Sequence, residues 1–253
     1  MMDIFGLRGK KVLITGGSSG FGRSAAELLA QVGADVAISY SANDQKAQAT
    51  LEALKPHGTD CFAIKADLAD LAGCEETVKQ AMDRWGRLDV LVHSAGIAAN
   101  GKIPGNFDRV INVHLYSTHR LFGLVAPIMT SQQSGSIVVL TSIANNQGTA
   151  NSYGAAMAGK LCYAMGMAKK LAPHNIRVNC IAPGTVFTEM LDPFIPAEVR
   201  RQRTEDSIPL WKNRQGIPQA DQVGKVILFL ASDLASHVTG EEIRVNGGQF
   251  IAL

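Results

Sequence analysis

Eight residues constrain this chain more than any others: Thr15-Gly16-Gly17-Ser18-Ser19-Gly20-Phe21-Gly22. They follow an apolar run, Lys11-Val12-Leu13-Ile14, that reads as a buried strand. They precede Phe21–Val32, where Leu28, Leu29 and Val32 share one face of a helical pattern that Gly33 ends. A strand, a glycine-rich turn and an amphipathic helix in that order let the backbone approach a phosphate closely. The helix start adds free N–H groups and the positive end of its dipole. The turn therefore predicts a dinucleotide-binding βα unit near the N-terminus.

The same alternation continues along the chain. Further strands are expected at 35–39, 61–64, 89–92, 136–140, 176–181 and 242–245. Helical segments are expected at 44–56, 70–85, 106–130, 152–172 and 221–232. Alternating β and α units predict a single α/β domain over residues 1–253, a doubly wound, mainly parallel seven-stranded sheet of Rossmann type. No linker or charge block divides it. With 46% hydrophobic residues the chain can fill one large core. The least regular stretch, 185–215, holds Pro193, Pro196 and Pro209 and reads as a substrate lid. Within it Phe187, Met190, Leu191, Phe194 and Trp211 are candidate apolar lining.

Composition excludes several classes. A net charge of +2 gives no basic stripe for nucleic acid. No apolar run has the length of a membrane span, and Met1–Lys11 lacks a signal-peptide core, so a cytoplasmic location is expected. Cys61, Cys74, Cys162 and Cys180 form no CxxC pair and have no zinc-ligand spacing to His. They read as free thiols, with no metal site.

The turn has the spacing Gly-x-x-x-Gly-x-Gly and resembles the fingerprint of the short-chain dehydrogenase/reductase family. Further landmarks follow in order over essentially the whole chain: Asp67-Leu68, His93-Ser94-Ala95-Gly96, Asn112, Ser142, Tyr153, Pro183-Gly184, Thr188, Thr239-Gly240 and Gly247-Gly248. The resemblance implies an oxidoreductase that transfers a hydride between NAD(P) and a carbonyl or alcohol. Ser142 would hold the substrate oxygen, Tyr153 would supply the proton and Asn112 would complete a water relay. Gly16, Ser18, Ser19, Gly20, Phe21, Gly22, Tyr40, Ser41, Asp67, Leu68, Ser94, Ala95, Gly96, Tyr153, Pro183, Gly184, Val186 and Thr188 would line the cofactor site. A homotetramer or homodimer is implied, and the overall pattern is similar to 3-oxoacyl carrier-protein reductases.

The end of strand two decides between cofactors. An acid there binds the ribose 2′-hydroxyl of NAD. That position holds Tyr40; Asp35 lies too early and Asp44 falls in the following loop. The missing acid favours NADP, with NAD as the alternative, although Ser19 and Ser41 lack the charge of a phosphate-binding arginine. Lys46 reads as a solvated helix residue.

Two positions depart from the family pattern. Met157 stands four residues after Tyr153, where the family has a lysine that lowers the tyrosine pKa and grips the nicotinamide ribose. A thioether can do neither. Lys160, roughly 10 Å beyond Tyr153 along the helix at 1.5 Å per residue, is a poor substitute and is expected in a solvated or interface role. His93 replaces an asparagine and is expected to fix the central strand. The interval from Ser142 to Tyr153 is also about two residues short. Three readings follow: a reductase or dehydrogenase with weakened or altered acid–base catalysis, a non-catalytic cofactor-binding or scaffold homologue, and, least favoured, a cofactor-free lyase resembling the halohydrin dehalogenases.

Overall fold

The computed structural model describes residues 3–98, 106–186, 196, 198–199, 202, 206–211 and 218–251. Among them the strands are β1 (Lys11–Thr15), β2 (Asp35–Tyr40), β3 (Cys61–Lys65), β4 (Val90–His93), β5 (Gly135–Leu140), β6 (Ile176–Pro183) and β7 (Glu242–Val245). The helices are α1 (Gly20–Gln31), α2 (Asp44–Leu54), α3 (Leu71–Trp85), α4 (Asn106–Ile111), α5 (Ser117–Gln132), α6 (Ser152–Leu171) and α7 (Ala220–Ala231). A π-helical turn, Asn112–Tyr116, joins α4 to α5.

The seven strands form one sheet in the order β3-β2-β1-β4-β5-β6-β7, and every pairing is parallel. The expected sheet is thus observed, entirely rather than mainly parallel. Both faces are covered, because side chains alternate along each strand. Val12 and Ile14 of β1 point to one core with α1 and α7. Leu13 points to the other, with Val78 of α3, Val125 of α5 and Ala164 of α6.

Local chemistry sets the ends of the helices. The side chains of Asn43, Asp70 and Asn151 cap α2, α3 and α6 by accepting from the N–H groups of Lys46 (2.9 Å), Gly73 (2.7 Å) and Gly154 (2.9 Å). Gly33 and Gly86, at φ +91° and +67°, close α1 and α3 in the left-handed region. Asn43 caps one residue earlier than a loop assignment for Asp44 allows, so Asp44 is the first residue of α2 and not part of the preceding loop.

The strand order reverses between β1 and β4. β2 lies on one side of β1 and β4 on the other, with Thr15 paired to His93 at their carboxyl ends. Ligand clefts in open α/β sheets form at such a switch point.

Candidate active site

A cleft of about 600 Å³ opens at the carboxyl ends of the strands. The β1–α1 turn forms its floor. Gly16 adopts φ +68°, and a Cβ there would come 2.8 Å from Ala95 Cα. At Gly22 a Cβ would come 2.3 Å from the Gly16 carbonyl oxygen. Glycine is therefore required at both positions, for close approach to β4 and for the tight entry into α1. Ser18, Ser19, Gly20 and Phe21 line the cleft next to Gly16. This is a cradle that a pyrophosphate fits: backbone N–H groups at a helix start, with no side chain in the way.

Tyr40 and Ser41 at the end of β2, Asp67 and Leu68 after β3, and Ser94, Ala95 and Gly96 after β4 continue the wall. Pro183, Gly184 and Val186 after β6 close it. Gly22 and Asn112 do not line the cleft. Gly22 is buried packing beneath the turn, and Asn112 opens the π turn, where its carbonyl accepts from the Ser117 N–H. Thr188 and positions 187–195 of the expected lid lie outside the described residues.

The β2 rim carries a small charge network. Asp44 accepts from the Tyr40 hydroxyl and from Lys65, each at 2.9 Å. The Lys65 ammonium, and then Tyr40, hold the Asp44 carboxyl below its ordinary pKa. On the opposite rim Asp67 pairs with Arg109 at 2.8 Å. Burial raises the Asp67 pKa, but Arg109 and the Ala69 N–H together bring it below the usual value.

Ser142 and Tyr153 meet at the far end of the cleft. Ser142 ends the β5 segment and caps a short 3-10 turn (Ile143–Asn145), while Asn151 starts α6 so that Tyr153 lies in its first turn. Despite the short interval between them, both side chains line the same end of the cleft. Burial raises the Tyr153 pKa, and the neighbouring Ser142 hydroxyl opposes that rise only in part. Met157, 1% exposed, lies on the same wall one turn further on. Arg109 is the only Lys or Arg among the described lining residues, and Asp67 already pairs with it.

Lys160 corrects the expectation of a solvated or interface role. It is 1% exposed. The buried face of α6 turns it inward, towards His93 of β4, His114 of the π turn and Cys180 of β6, whose fields it feels or perturbs. No carboxylate pairs with it among the described residues. Burial lowers its pKa from 10.5 to about 7. His93 is held at both ring nitrogens, by Thr15 Oγ1 at 2.8 Å and Ser117 Oγ at 3.1 Å. It thereby ties β4 to β1 and to α5. Burial first, then Lys160, drives its pKa far below 6.5.

Sequence reasoning missed His114. Its ring packs edge-on against Tyr153 and lines the cleft. The one available signal was a third polar aromatic two residues after Asn112, and nothing in its spacing marked it. No group of three His, Cys, Asp or Glu side chains among the described residues is arranged to hold a metal.

Comparison with known proteins bears on the family and the fold. A family model described as enoyl-(acyl carrier protein) reductase matches residues 16–249. The 3-oxoacyl-[acyl-carrier-protein] reductase FabG of Staphylococcus aureus is 35% identical over 249 residues, covering 96% of this chain and 98% of the relative. The L-rhamnose 1-dehydrogenase (NAD(P)(+)) of a Sphingomonas species is 36% identical over 254 residues, covering 98% of each. A 7α-hydroxysteroid dehydrogenase solved with NADH and 7-oxo glycochenodeoxycholic acid superposes with a TM-score of 0.88 at 30% identity, covering 98% of both chains. A short-chain alcohol dehydrogenase structure from Sinorhizobium meliloti gives 0.88 at 31% identity, covering 97% of this chain and 98% of that one. The chain belongs to the short-chain dehydrogenase/reductase family.

Proposed function

We propose that this protein is an NADP-dependent oxidoreductase acting on a carbonyl or alcohol, with weaker acid–base catalysis than its relatives. The observation that carries the reading is the Ser142–Tyr153 hydroxyl pair, set in the same cleft as the glycine cradle. A bound nicotinamide supplies the hydride. Ser142 orients the substrate oxygen, and Tyr153 gives that oxygen its proton. Asn112 acts behind them through the π turn rather than from the cleft wall.

NADP is favoured over NAD because the acid nearest the β2 rim, Asp44, is already paired with Lys65 and Tyr40. The rim then offers the hydroxyls of Ser19 and Ser41 to a 2′-phosphate, with the Asp44 carboxylate held by Lys65 and Tyr40. The relatives' names support a 3-oxoacyl or sugar substrate. We further propose a cytoplasmic homotetramer or homodimer; no described helix is long and apolar enough to cross a membrane.

One observation supports a second reading, a cofactor-binding homologue without turnover. Tyr153 sits beside Met157, with its pKa raised by burial and no cation in the family's lysine position. The two readings separate in one experiment: purified protein is titrated with NADPH and NADH by fluorescence, then assayed with a ketone panel. Tight NADPH binding with ketone-dependent oxidation supports the enzyme. Binding without turnover across the panel supports the second reading, and absence of binding sinks both.

A further inference from the structure

Ser142 follows β5 by two residues, and its own turn sets its side chain. Its Oγ accepts from the Ala144 N–H at 3.2 Å, and its carbonyl accepts from the Asn145 N–H at 3.0 Å. The hydroxyl proton stays free for an acceptor in the cleft. A residue of another strand holds this turn. Glu242 opens β7, two strands away across the sheet, in register with Cys180 of β6. Its Oε1 accepts from the Asn145 Nδ2 at 2.6 Å and from the Thr141 hydroxyl at 2.8 Å. Its Oε2 accepts from the Asn146 Nδ2 at 3.4 Å. One carboxylate thus grips the residue before Ser142 and two residues that follow it.

Asn145 depends on this grip. A carboxylate only accepts, so the amide turns its NH2 towards Glu242. Its Oδ1 is left buried without a hydrogen-bond partner, so Glu242 is what holds the side chain. A bare buried oxygen disfavours the fold, and a charge-assisted bond on the nitrogen side offsets that cost. Thr141 has the Ile181 carbonyl, at 2.9 Å, as a second acceptor for its one proton, so it depends on Glu242 less.

We infer that Glu242 is a positioning residue for the reaction proposed at this cleft. It fixes the Ser142 turn from β7, and through that turn the hydroxyl that meets the substrate oxygen. Thr141 and Ser142 line the cleft and Glu242 does not, so it acts through its partners and touches no ligand. The interval from Ser142 to Tyr153 is where the chain departs in length from the family pattern, and this clamp is anchored outside that interval. The inference rests on the reading of Ser142 as the contact to the substrate oxygen.

The test compares E242L, which removes both acceptor oxygens but keeps the bulk, with E242Q, whose amide oxygen can still take the Asn145 and Thr141 protons. Measured on each are kcat and KM for the ketone of the panel that is turned over fastest, NADPH affinity, and hydrogen exchange of peptides covering residues 141–147. E242L is expected to lower kcat about ten- to a hundredfold, the scale of a small misplacement of a reacting group, with a smaller change in KM. NADPH affinity should stay within about twofold, and exchange at the Ser142 turn should quicken. E242Q should recover most of the lost kcat. A kcat within about twofold of wild type in E242L overturns the inference. So does a loss that E242Q leaves unrecovered, or one matched by an equal weakening of NADPH. Thermal unfolding checks the fold. If E242L does not fold, N145A removes the same bond from the other partner and should lower kcat by a similar factor; a wild-type kcat in N145A then overturns the inference. A wild-type protein that turns over no ketone overturns the functional reading itself, and the positioning role with it, whatever the exchange shows.

Discussion

Tyr153 and Met157 occupy successive turns of one helix face, and the proposed chemistry turns on both. A phenol titrates near ~10 in water, and burial raises Tyr153 further. An ammonium at 157 would favour the tyrosinate and offer the ribose a donor. Met157→Lys is therefore expected to raise ketone reduction about tenfold or more, within the range of acid–base effects, with NADPH affinity kept or improved. Steady-state kinetics on both proteins check this; an unchanged kcat with normal cofactor binding would remove Met157 as the weak element. Tyr153→Phe should abolish turnover and leave NADPH binding within about twofold, since a phenol hydroxyl contributes only one hydrogen bond to the ground state. Residual activity near the wild-type level would place the proton source elsewhere.

At the scale of elements, α6 does two jobs that conflict. Its first turn presents Tyr153 to the cleft, and its inner face carries Lys160 into the core. Lys160 binds a proton in the unfolded chain up to about pH 10.5 but holds it in the folded protein only up to about pH 7. The unfolded state thus binds more protons between those values, so stability rises with pH across that window. The penalty is largest at and below pH 7. Lys160→Met should stabilise the protein by roughly 3–5 kcal/mol at pH 7 and by almost nothing above pH 10.5. Denaturant unfolding at two pH values tests the sign; the same increment at both would show that the folded protein does not shift this lysine. The β1–α1 turn makes a matching prediction. Gly16→Ala combines a left-handed φ of +68° with a 2.8 Å contact to Ala95. It should cost about 1–3 kcal/mol and weaken NADPH binding more than tenfold, read by thermal unfolding and fluorescence titration.

For the whole molecule, the sheet order places the cradle, the Ser142–Tyr153 pair and the β6 loop around one opening, although more than 160 residues of sequence separate the first from the last. A ligand bound across that opening touches several of these elements at once. NADPH at 100 times its Kd should then stabilise the fold by about 2.7 kcal/mol by mass action. NADH at the same concentration should give a smaller thermal shift, because it lacks the 2′-phosphate that the Ser19 and Ser41 hydroxyls would hold. Equal shifts for the two nucleotides would remove the preference for NADP.

The sheet was legible because strands buried on both faces must be short apolar runs, and because turns that approach a phosphate must use glycine. Those demands act locally, so the sequence by itself determined the seven strands and the cradle at Gly16–Gly22, while Ser142, Tyr153 and the missing lysine at 157 came from the resemblance to the family. Burial and hydrogen-bond partners are set by residues far apart in the chain, and only the tertiary structure decided them. It turned Lys160 inward instead of outward and bound His93 to Thr15 and Ser117. It paired Asp44 with Lys65 across β2 and β3, and brought His114 against Tyr153 through a π turn that no periodicity announces. A helix position fixes direction only relative to its own axis. Which neighbour that direction meets depends on how the helix packs on the sheet.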